Sequence, residues 1–408
     1  MNKYIVYISK EELLAFESSD SLLKYGISYE WEGENVVHLH FSPVLHSFGK
    51  TGTVIFAKNT DELQQIGAEW QVLVTDNNNI KVVNTNSPSA IMDVEFIPAK
   101  VDLYSRNKGL LEIGILGKKS VAIIGLGSFG SQISVELAKA GVGEFYIFDF
   151  DRVELHNLAR HICTTKDLGR LKTDAIEEAI LGKNPYAKVR KYPVDINEHL
   201  SLLDEVLPNV DLVICATDNN QSRFTLSRYL HPNNKICIFG RAITRAEGGD
   251  VFIYRPGGAC YNCLVGNIGN IAEEITNEES ARRNGTIAAY VSPEDANAMV
   301  QVGLSADIEP ICNMMVKLAL VELSRGSDSG IKSLEDELVY NYYMWANRRE
   351  RKYANWHILP GAGAMPTIMR WYGAHIKRLD DCVTCSSEIS LDTGDEFEEM
   401  LNNLPSED

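Results

Sequence analysis

The stretch that decides the fold is residues 120–143, which read SVAIIGLGSFGSQISVELAKAGVG. A short apolar run leads into Gly125, Gly127, Ser128 and Gly130, and an apolar pattern with helical spacing follows. This order predicts a strand, a tight glycine turn and a helix. Because the first amides of such a helix and its dipole favour a phosphate group, the stretch predicts a nucleotide-binding strand-turn-helix.

The sequence beyond this stretch repeats the alternation of strand and helix. The candidate strands are SVAII, FYIFDF, VRKYPV, DLVICAT and KICIF, with candidate helices near 129–140, 172–183, 198–206 and 219–230. Repeated strand-helix order predicts a Rossmann-like, doubly wound, mainly parallel sheet with helices on both faces. We expect an apolar helix over 308–323, after a long polar loop at 267–307.

Asp149 closes the second candidate strand, where a carboxylate accepts hydrogen bonds from ribose hydroxyls. An NAD-dependent oxidoreductase has the same glycine loop and acidic residue. These features therefore predict that the chain binds a nucleotide, but they do not indicate which reaction it catalyses. The sequence has no GxxxxGK[ST] segment. Cationic side chains elsewhere must therefore neutralise the phosphates.

Candidate cations and a candidate magnesium ligand follow. Asn157 and Arg160 lie three residues apart, and Lys172 begins the next predicted helix. Asp218 and Asn219 stand at the carboxyl end of DLVICAT, the edge at which open α/β sheets bind ligands. A carboxylate there either holds Mg²⁺ on nucleotide phosphates or caps the following helix, and it can do both.

The chain resembles the ThiF-type adenylyltransferases, which include the ubiquitin-activating enzymes and the activators of sulfur carriers for thiamine and molybdopterin synthesis. The matching segments, in family order, are GLGSFG, FDFD followed by NLAR, GRLK, ATDN and CYNC. The resemblance implies that Arg160 and Lys172 neutralise the ATP triphosphate and that Asp218 positions Mg²⁺. It implies a nucleotide-binding set of Gly125, Gly127, Ser128, Gly130, Asp149, Asn157 and Asn219.

A further arginine comes from the resemblance alone. Residues 103–106, Leu-Tyr-Ser-Arg, are similar to a family segment whose final arginine reaches the ATP site of a neighbouring subunit. The implied residue is Arg106, and with it a homodimer. This sequence departs from the family pattern, because Leu103 stands where the family has arginine and the spacer to the glycine loop is short.

Four of the eight cysteines form two C-x-x-C pairs, Cys260 with Cys263 and Cys382 with Cys385. Four thiolates suit a tetrahedral structural Zn²⁺, whereas two unrelated or redox-active pairs are the alternative. The resemblance favours zinc, because the family carries a split zinc site of this kind.

The other four cysteines bear on whether a thioester follows adenylation. Cys215 and Cys237 lie in predicted strands and Cys312 in an apolar helix, so we expect all three to be buried. Cys163 follows Arg160 in a loop and is expected to be more exposed. Neither Cys163 nor Cys312 is predicted to be a transfer nucleophile.

We expect an α+β accessory domain over 1–100, an adenylation domain over 101–387 and an acidic tail over 388–408. The formal charge of −17 argues against nucleic acid or an anionic membrane as a partner. Without a signal segment or an apolar run long enough to span a bilayer, the cytoplasm is the expected location.

The predicted activity is ATP-dependent adenylation of the C-terminal carboxylate of a ubiquitin-like protein, releasing pyrophosphate. The GLSADI segment at 303–308 is similar to bacterial members of the family that accompany ubiquitin-like modification systems, which suggests a downstream conjugating enzyme as a further partner. The alternatives are a sulfur carrier or a peptide as acceptor. An NAD-dependent oxidoreductase and a nucleotide-binding scaffold without activity are the alternatives from other classes.

Overall fold

The computed structural model describes residues 3–31, 33–41, 50–63, 67–75, 79–97, 103–104, 106–107, 110, 113–243, 246–268, 303–328, 331–348 and 368–386. The chain divides into two compact units, Met1–Lys108 and Gly109–Asp408.

The first unit is built on a seven-stranded mixed sheet in the order β6-β5-β4-β2-β3-β1-β7. Its elements are β1 (Lys3–Ser9), α1 (Lys10–Glu17), β2 (Leu23–Trp31), β3 (Val36–His40), β4 (Lys50–Ala57), α2 (Thr60–Leu63), β5 (Trp70–Thr75), β6 (Asn79–Asn84) and β7 (Ile91–Ile97). The Ser9 hydroxyl accepts from the Glu12 amide at 3.3 Å and caps α1. Alternating buried positions of β1, such as Tyr4, Val6 and Ile8, face the core of this unit.

The second unit is built on an eight-stranded sheet in the order β10-β9-β8-β11-β12-β13-β14-β15. Its strands are β8 (Ser120–Ile124), β9 (Glu144–Phe148), β10 (Lys188–Tyr192), β11 (Leu212–Cys215), β12 (Cys237–Ala242), β13 (Gly248–Tyr254), β14 (Tyr342–Ala346) and β15 (Arg370–Ala374). Its helices are α3 (Ile113–Leu116), α4 (Ser128–Ala140), α5 (Lys172–Lys183), α6 (Leu202–Val206), α7 (Asn220–Leu230), α8 (Tyr261–Ile268), α9 (Ser305–Ser324) and α10 (Lys332–Glu337).

The first strand of this unit, β8, lies between β9 and β11, and all five strands from β10 to β12 are parallel. The chain therefore winds outward from β8 in both directions, and the crevice of such a sheet opens at the carboxyl ends of β8 and β11. Every residue of β8 is buried because helices cover both faces of the sheet. Helices α4, α5 and α9 pack on one face, and α6, α7 and α8 on the other.

The predicted doubly wound, mainly parallel α/β fold is confirmed. The five predicted strands and four predicted helices are all present, although the helix expected near 198–206 covers only Leu202–Val206. The apolar helix predicted over 308–323 is α9, which begins at Ser305, three residues before its predicted start at Ile308. Three strands that the sequence did not predict, β13 to β15, extend the sheet in antiparallel fashion.

Two predicted segments lie largely or wholly outside the described residues, namely the polar loop at 267–307 and the acidic tail at 388–408. Among the helices of the described residues, each is too short or too polar to cross a bilayer.

Candidate functional site

The glycine loop joins β8 to α4 and depends on glycine at two positions. Gly125 has φ +89°, and a Cβ there would lie 2.8 Å from the carbonyl oxygen of Ala216, at the end of β11. At Gly130 a Cβ would overlap the Gly125 carbonyl oxygen. Gly127 precedes α4 without a side-chain cap, so the first amides of the helix are left to another acceptor. The loop is thus packed tightly against the end of β11.

The carboxylate of Asp149 holds this loop in place. Its Oδ2 accepts from the Leu126 amide at 2.7 Å, and its Oδ1 accepts from the Asp151 amide at 2.9 Å. Burial raises the pKa of Asp149, and the charge of Lys172 and the two amide donors only partly oppose that rise. A buried carboxylate whose pKa is raised in this way is typical of a functional site.

Lys172 is buried at the start of α5 and faces two carboxylates. Its Nζ lies 2.7 Å from Oδ2 of Asp151 and 3.8 Å from Oδ1 of Asp149. Asp151 belongs to the FDFD segment but was not among the predicted site residues. The structure thus brings the predicted ribose ligand and a predicted phosphate ligand together through an ion-pair network.

Asn157 and Arg160 lie in the loop between β9 and α5. The Asn157 side chain accepts from the Glu154 amide at 2.9 Å, which closes a short 3₁₀ turn over Leu155–Asn157. The Arg160 amide donates to the Asn157 carbonyl at 2.9 Å. Burial lowers the pKa of Arg160, but a guanidinium keeps its charge at neutral pH.

Asp218 and Asn219 are exposed at the carboxyl edge of the sheet, where β11 ends. Of the two, Asn219 caps α7, because its Oδ1 accepts from the Ser222 amide at 2.8 Å. Asp218 is therefore not needed as the cap. Its carboxylate provides oxygen ligands of the kind that Mg²⁺ prefers.

A buried arginine that was not among the predicted site residues binds the backbone next to Asp218. Arg223, only 3% exposed, donates to the Thr217 carbonyl at 2.6 Å and to the Asn220 side chain at 3.2 Å. The hydroxyl of Tyr261 donates to the same Asn220 oxygen at 3.2 Å. No sequence signal marked Arg223, because a single arginine on a helix is usually solvated.

Arg106 is exposed and belongs to the first compact unit, whereas all the other predicted site residues belong to the second. Its predicted role at the site of a neighbouring subunit stays a prediction.

The two C-x-x-C pairs meet in one cluster. The four sulfur atoms lie within 4.8 Å of one another and all four cysteines are buried. The Sγ of Cys260 lies 3.8 Å from that of Cys263 and 3.4 Å from that of Cys382. Thiolates about 2.3 Å from a tetrahedral Zn²⁺ stand about 3.8 Å apart, so the donors and their spacing fit zinc.

A hydrogen bond between side chains joins the two segments of the cluster. Asn262 donates to the Thr384 hydroxyl at 2.8 Å, and the Leu379 amide donates to the Cys263 sulfur at 3.4 Å. A metal held here would link residues 260–263 to 382–385 and would have no open coordination position, as is typical of a structural site.

The remaining cysteines are all buried, as expected for Cys215, Cys237 and Cys312. Cys163 is the most exposed of these four cysteines, as expected, but at 7% it is still buried, and it packs into the core of the second unit. Burial raises the pKa of Cys163 to about 12. Its thiol is therefore protonated at neutral pH, which does not suit a nucleophile.

Comparison with known proteins places these features in a family. The profile of the ThiF family matches residues 107–350. The sulfur carrier protein adenylyltransferase of Thermus thermophilus is 32% identical over 176 residues, which are 40% of this chain and 64% of that relative. Ubiquitin-like modifier-activating enzyme 5 of Drosophila virilis is 28% identical over 249 residues, 56% of this chain and 60% of that relative.

Among solved structures, E. coli MccB with AMPCPP and MccA matches 71% of this chain and 77% of its own, with a TM-score of 0.50 and 20% identity. At this identity the likeness shows a shared fold. The chain covers less than two thirds of the length of the curated relatives just named. Because the family profile matches more than half of the residues, the chain belongs to the ThiF family.

Proposed function

We propose that this chain is an ATP-dependent adenylyltransferase that activates the C-terminal carboxylate of a ubiquitin-like protein. The observation that carries the proposal is the convergence of three strand ends at one crevice. The glycine loop after β8 packs on Ala216 after β11, and Asp149 after β9 binds the Leu126 amide of that loop. This is the position at which open α/β sheets bind nucleotides.

The proposed reaction is an in-line attack of the acceptor carboxylate on the α-phosphorus of ATP. A bond forms between the carboxylate oxygen and the α-phosphorus, and the bond to the bridging oxygen of the β-phosphate breaks. The products are an acyl-adenylate and pyrophosphate. The protein supplies orientation and charge neutralisation, since this reaction needs no covalent intermediate on the enzyme.

Each site residue has a proposed task. The glycine loop and the first amides of α4 bind phosphate oxygens, and Asp149 and Asn157 hold the ribose and phosphate. Arg160 and Lys172 neutralise charge on the phosphates, and Asn219 is part of the nucleotide site. Mg²⁺ held by Asp218 would supply further neutralisation of the phosphates.

The choice of a ubiquitin-like acceptor rests on two observations. The GLSADI segment is similar to bacterial family members that accompany ubiquitin-like modification systems, and one relative is named a ubiquitin-like modifier-activating enzyme. A bacterial modification system with a downstream conjugating enzyme is the corresponding setting. A sulfur carrier is the second candidate, because the Thermus thermophilus relative is named for that acceptor.

Exchange of labelled pyrophosphate into ATP tests the proposal. We expect exchange that requires a ubiquitin-like protein with a free C-terminal carboxylate and stops when the same protein carries a C-terminal amide. Asp218→Asn and Arg160→Gln should each lower the exchange rate by about 100-fold or more, because they remove charge stabilisation from the reacting phosphates. The exposed Arg228→Gln on α7 serves as the control with an unchanged rate.

The other outcomes identify the alternatives. If exchange occurred with a sulfur carrier or a short peptide but not with a ubiquitin-like protein, that carrier or peptide would be the acceptor. Stabilisation by NAD and not by ATP would favour an oxidoreductase. ATP binding without exchange in the presence of any of these acceptors would favour a scaffold.

Arg106 is proposed to act in trans within a homodimer. In a symmetric dimer, a mixture of the Arg106→Ala and Asp218→Ala variants contains heterodimers in which one of the two sites is intact. We expect that mixture to recover about a quarter of the wild-type exchange rate, whereas each variant alone is inactive. A mixture as inactive as its parts would argue that Arg106 does not act across subunits.

A further inference from the structure

His161 follows Arg160 in the loop between β9 and α5, and none of the roles proposed above uses it. Its Nε2 lies 2.6 Å from the carbonyl oxygen of Leu126, in the middle of the glycine loop. The two residues are 35 positions apart in sequence. The imidazole therefore joins the loop that carries Arg160 to the glycine loop.

The ring's second nitrogen determines which tautomer makes this contact. The Cys163 amide donates to Nδ1 of His161 at 3.1 Å, so Nδ1 is an acceptor without a proton. The neutral ring then carries its proton on Nε2, which donates to the Leu126 carbonyl. Both ring nitrogens are thus satisfied in one protonation state.

The backbone of Leu126 is therefore held at both its amide and its carbonyl. Its amide donates to Oδ2 of Asp149 at 2.7 Å, and its carbonyl accepts from His161. The neighbouring Gly125 amide donates to the Phe148 carbonyl at 2.9 Å. Because Gly125 and Gly127 flank Leu126, the hydrogen bonds of the Leu126 amide and carbonyl fix the course of the chain that leads into α4.

We propose that His161 is a positioning residue for the nucleotide site, which holds the glycine loop and Arg160 in one fixed arrangement through its hydrogen bond to Leu126. The inference rests on the proposed nucleotide site but not on the identity of the acceptor. His161 itself touches no phosphate. Its effect reaches ATP through the amides at the start of α4 and through the backbone of its neighbour Arg160.

This arrangement holds only while the imidazole is neutral. A second proton would go to Nδ1, where it would face the Cys163 amide, and two donors would meet. Among the described residues, the charged groups that act on the ring are Lys172 and Asp167. Burial, together with Lys172, lowers the pKa of His161, although the Leu126 carbonyl and Asp167 oppose the shift. The neutral form is therefore retained at neutral pH and lost only in more acidic solution.

Isothermal titration of the full chain with Mg²⁺ and a non-hydrolysable ATP analogue, between pH 5.5 and 8, tests the inference without any acceptor. His161→Ala should weaken binding about three- to tenfold at pH 8, the usual effect of losing one hydrogen bond. Its difference from wild type should shrink in acid, where the wild-type imidazole takes up a second proton. His161→Gln keeps an amide donor that does not titrate. It should bind as wild type at pH 8 and should lose less affinity than wild type in acid solution.

His156→Gln is the matched control, because His156 is exposed in the same loop and pairs only with the exposed Glu154 among the described residues. The γ-phosphate of the analogue also titrates, but equally for every variant, so the comparison between variants isolates His161. Two-bond ¹H–¹⁵N spectra of the nine histidines should include a neutral imidazole, protonated at Nε2, whose signals are absent from His161→Gln.

Two results would overturn the proposal: wild-type affinity of His161→Ala at pH 8, or equal acid-side losses for wild type and His161→Gln. If the chain failed to bind the analogue at all, the proposed nucleotide site would be wrong. If binding followed the expected pattern while no acceptor supported exchange, the inference on His161 would stand and the proposed activity would not.

Discussion

Nη2 of Arg223 donates to the carbonyl oxygen of Thr217, the residue before Asp218, at 2.6 Å. The same guanidinium reaches the Asn220 side chain, which also accepts from the hydroxyl of Tyr261. Tyr261 lies between Cys260 and Cys263, so these hydrogen bonds link the segment that carries two of the cluster cysteines to Thr217, the residue before the proposed magnesium ligand Asp218.

We predict that Arg223→Lys lowers pyrophosphate exchange and raises the Mg²⁺ concentration for half-maximal rate. A lysine ammonium cannot reproduce the planar fork that serves Thr217 and Asn220 together. Tyr261→Phe removes one hydrogen bond from this network and should have the same effect at smaller size, about two- to tenfold. The control is Arg228→Lys on the exposed side of the same helix. An unchanged Mg²⁺ requirement in both variants would argue that the Thr217 contact does not position Asp218.

The two glycines that border the turn into α4 should respond differently to alanine. At Gly130 a Cβ would overlap the Gly125 carbonyl, so Gly130→Ala should cost about 1–3 kcal/mol of unfolding free energy and weaken ATP binding. At Gly127, φ is −69° and a Cβ would meet no described atom within 4 Å. We therefore expect Gly127→Ala to fold with nearly wild-type stability. Urea denaturation of the two variants measures the difference, and equal losses would contradict it.

The cysteine cluster should hold one Zn²⁺ per chain. Cys382→Ser removes one of four ligands and should lose the metal and lower the melting temperature, because the site links residues far apart in sequence. Elemental analysis and thermal denaturation are the measurements. Cys163→Ser, a buried cysteine outside the cluster, is the control that keeps its zinc. A wild-type chain purified without zinc and stable to chelators would contradict the metal assignment.

Cys163 should react slowly with iodoacetamide. Burial raises the pKa of its thiol to about 12, so the reactive thiolate is scarce at pH 7 to 9 and becomes abundant only as the pH approaches 12. Mass spectrometry of alkylated peptides at pH 8 should find Cys163 unmodified in the folded chain and modified after denaturation. Fast labelling in the folded state would show that the thiol is accessible and would make Cys163 a candidate transfer nucleophile.

A buried ion pair at the end of β12 should matter for stability. Nε of Arg241 lies 2.8 Å from each carboxylate oxygen of Asp250 on β13, and both residues are at least 96% buried. Asp250→Ala should cost about 3–5 kcal/mol, because it leaves the guanidinium buried without its partner. Replacing both partners, as Arg241→Met with Asp250→Leu, should recover much of that loss. Additive losses in this double-mutant cycle would show that the pair is not coupled.

Local rules account for the part of the fold that could be predicted. The glycine loop is recognisable because only glycine fits the positive φ at 125 and the close approach at 130. The alternation of short apolar runs with helical patterns likewise predicted β8 to β12. The antiparallel strands β13 to β15 were missed because they lack a tight turn signal and a clear alternation of apolar and polar residues. For β14 there is a second reason, because its partner β13 lies far away in sequence.

The sequence by itself determined the strand-turn-helix at 120–140, the alternation that builds a parallel sheet and the spacing of each C-x-x-C pair, because steric and periodic rules act over a few residues. Only the tertiary structure decided that Lys172 pairs with Asp151, that His161 donates to Leu126 and that the four sulfurs form one cluster. These contacts join residues 21, 35 and 122 positions apart. The order of strands in the sheet decides which strand ends lie side by side, and therefore which of these residues contact one another. Local sequence patterns do not contain that information.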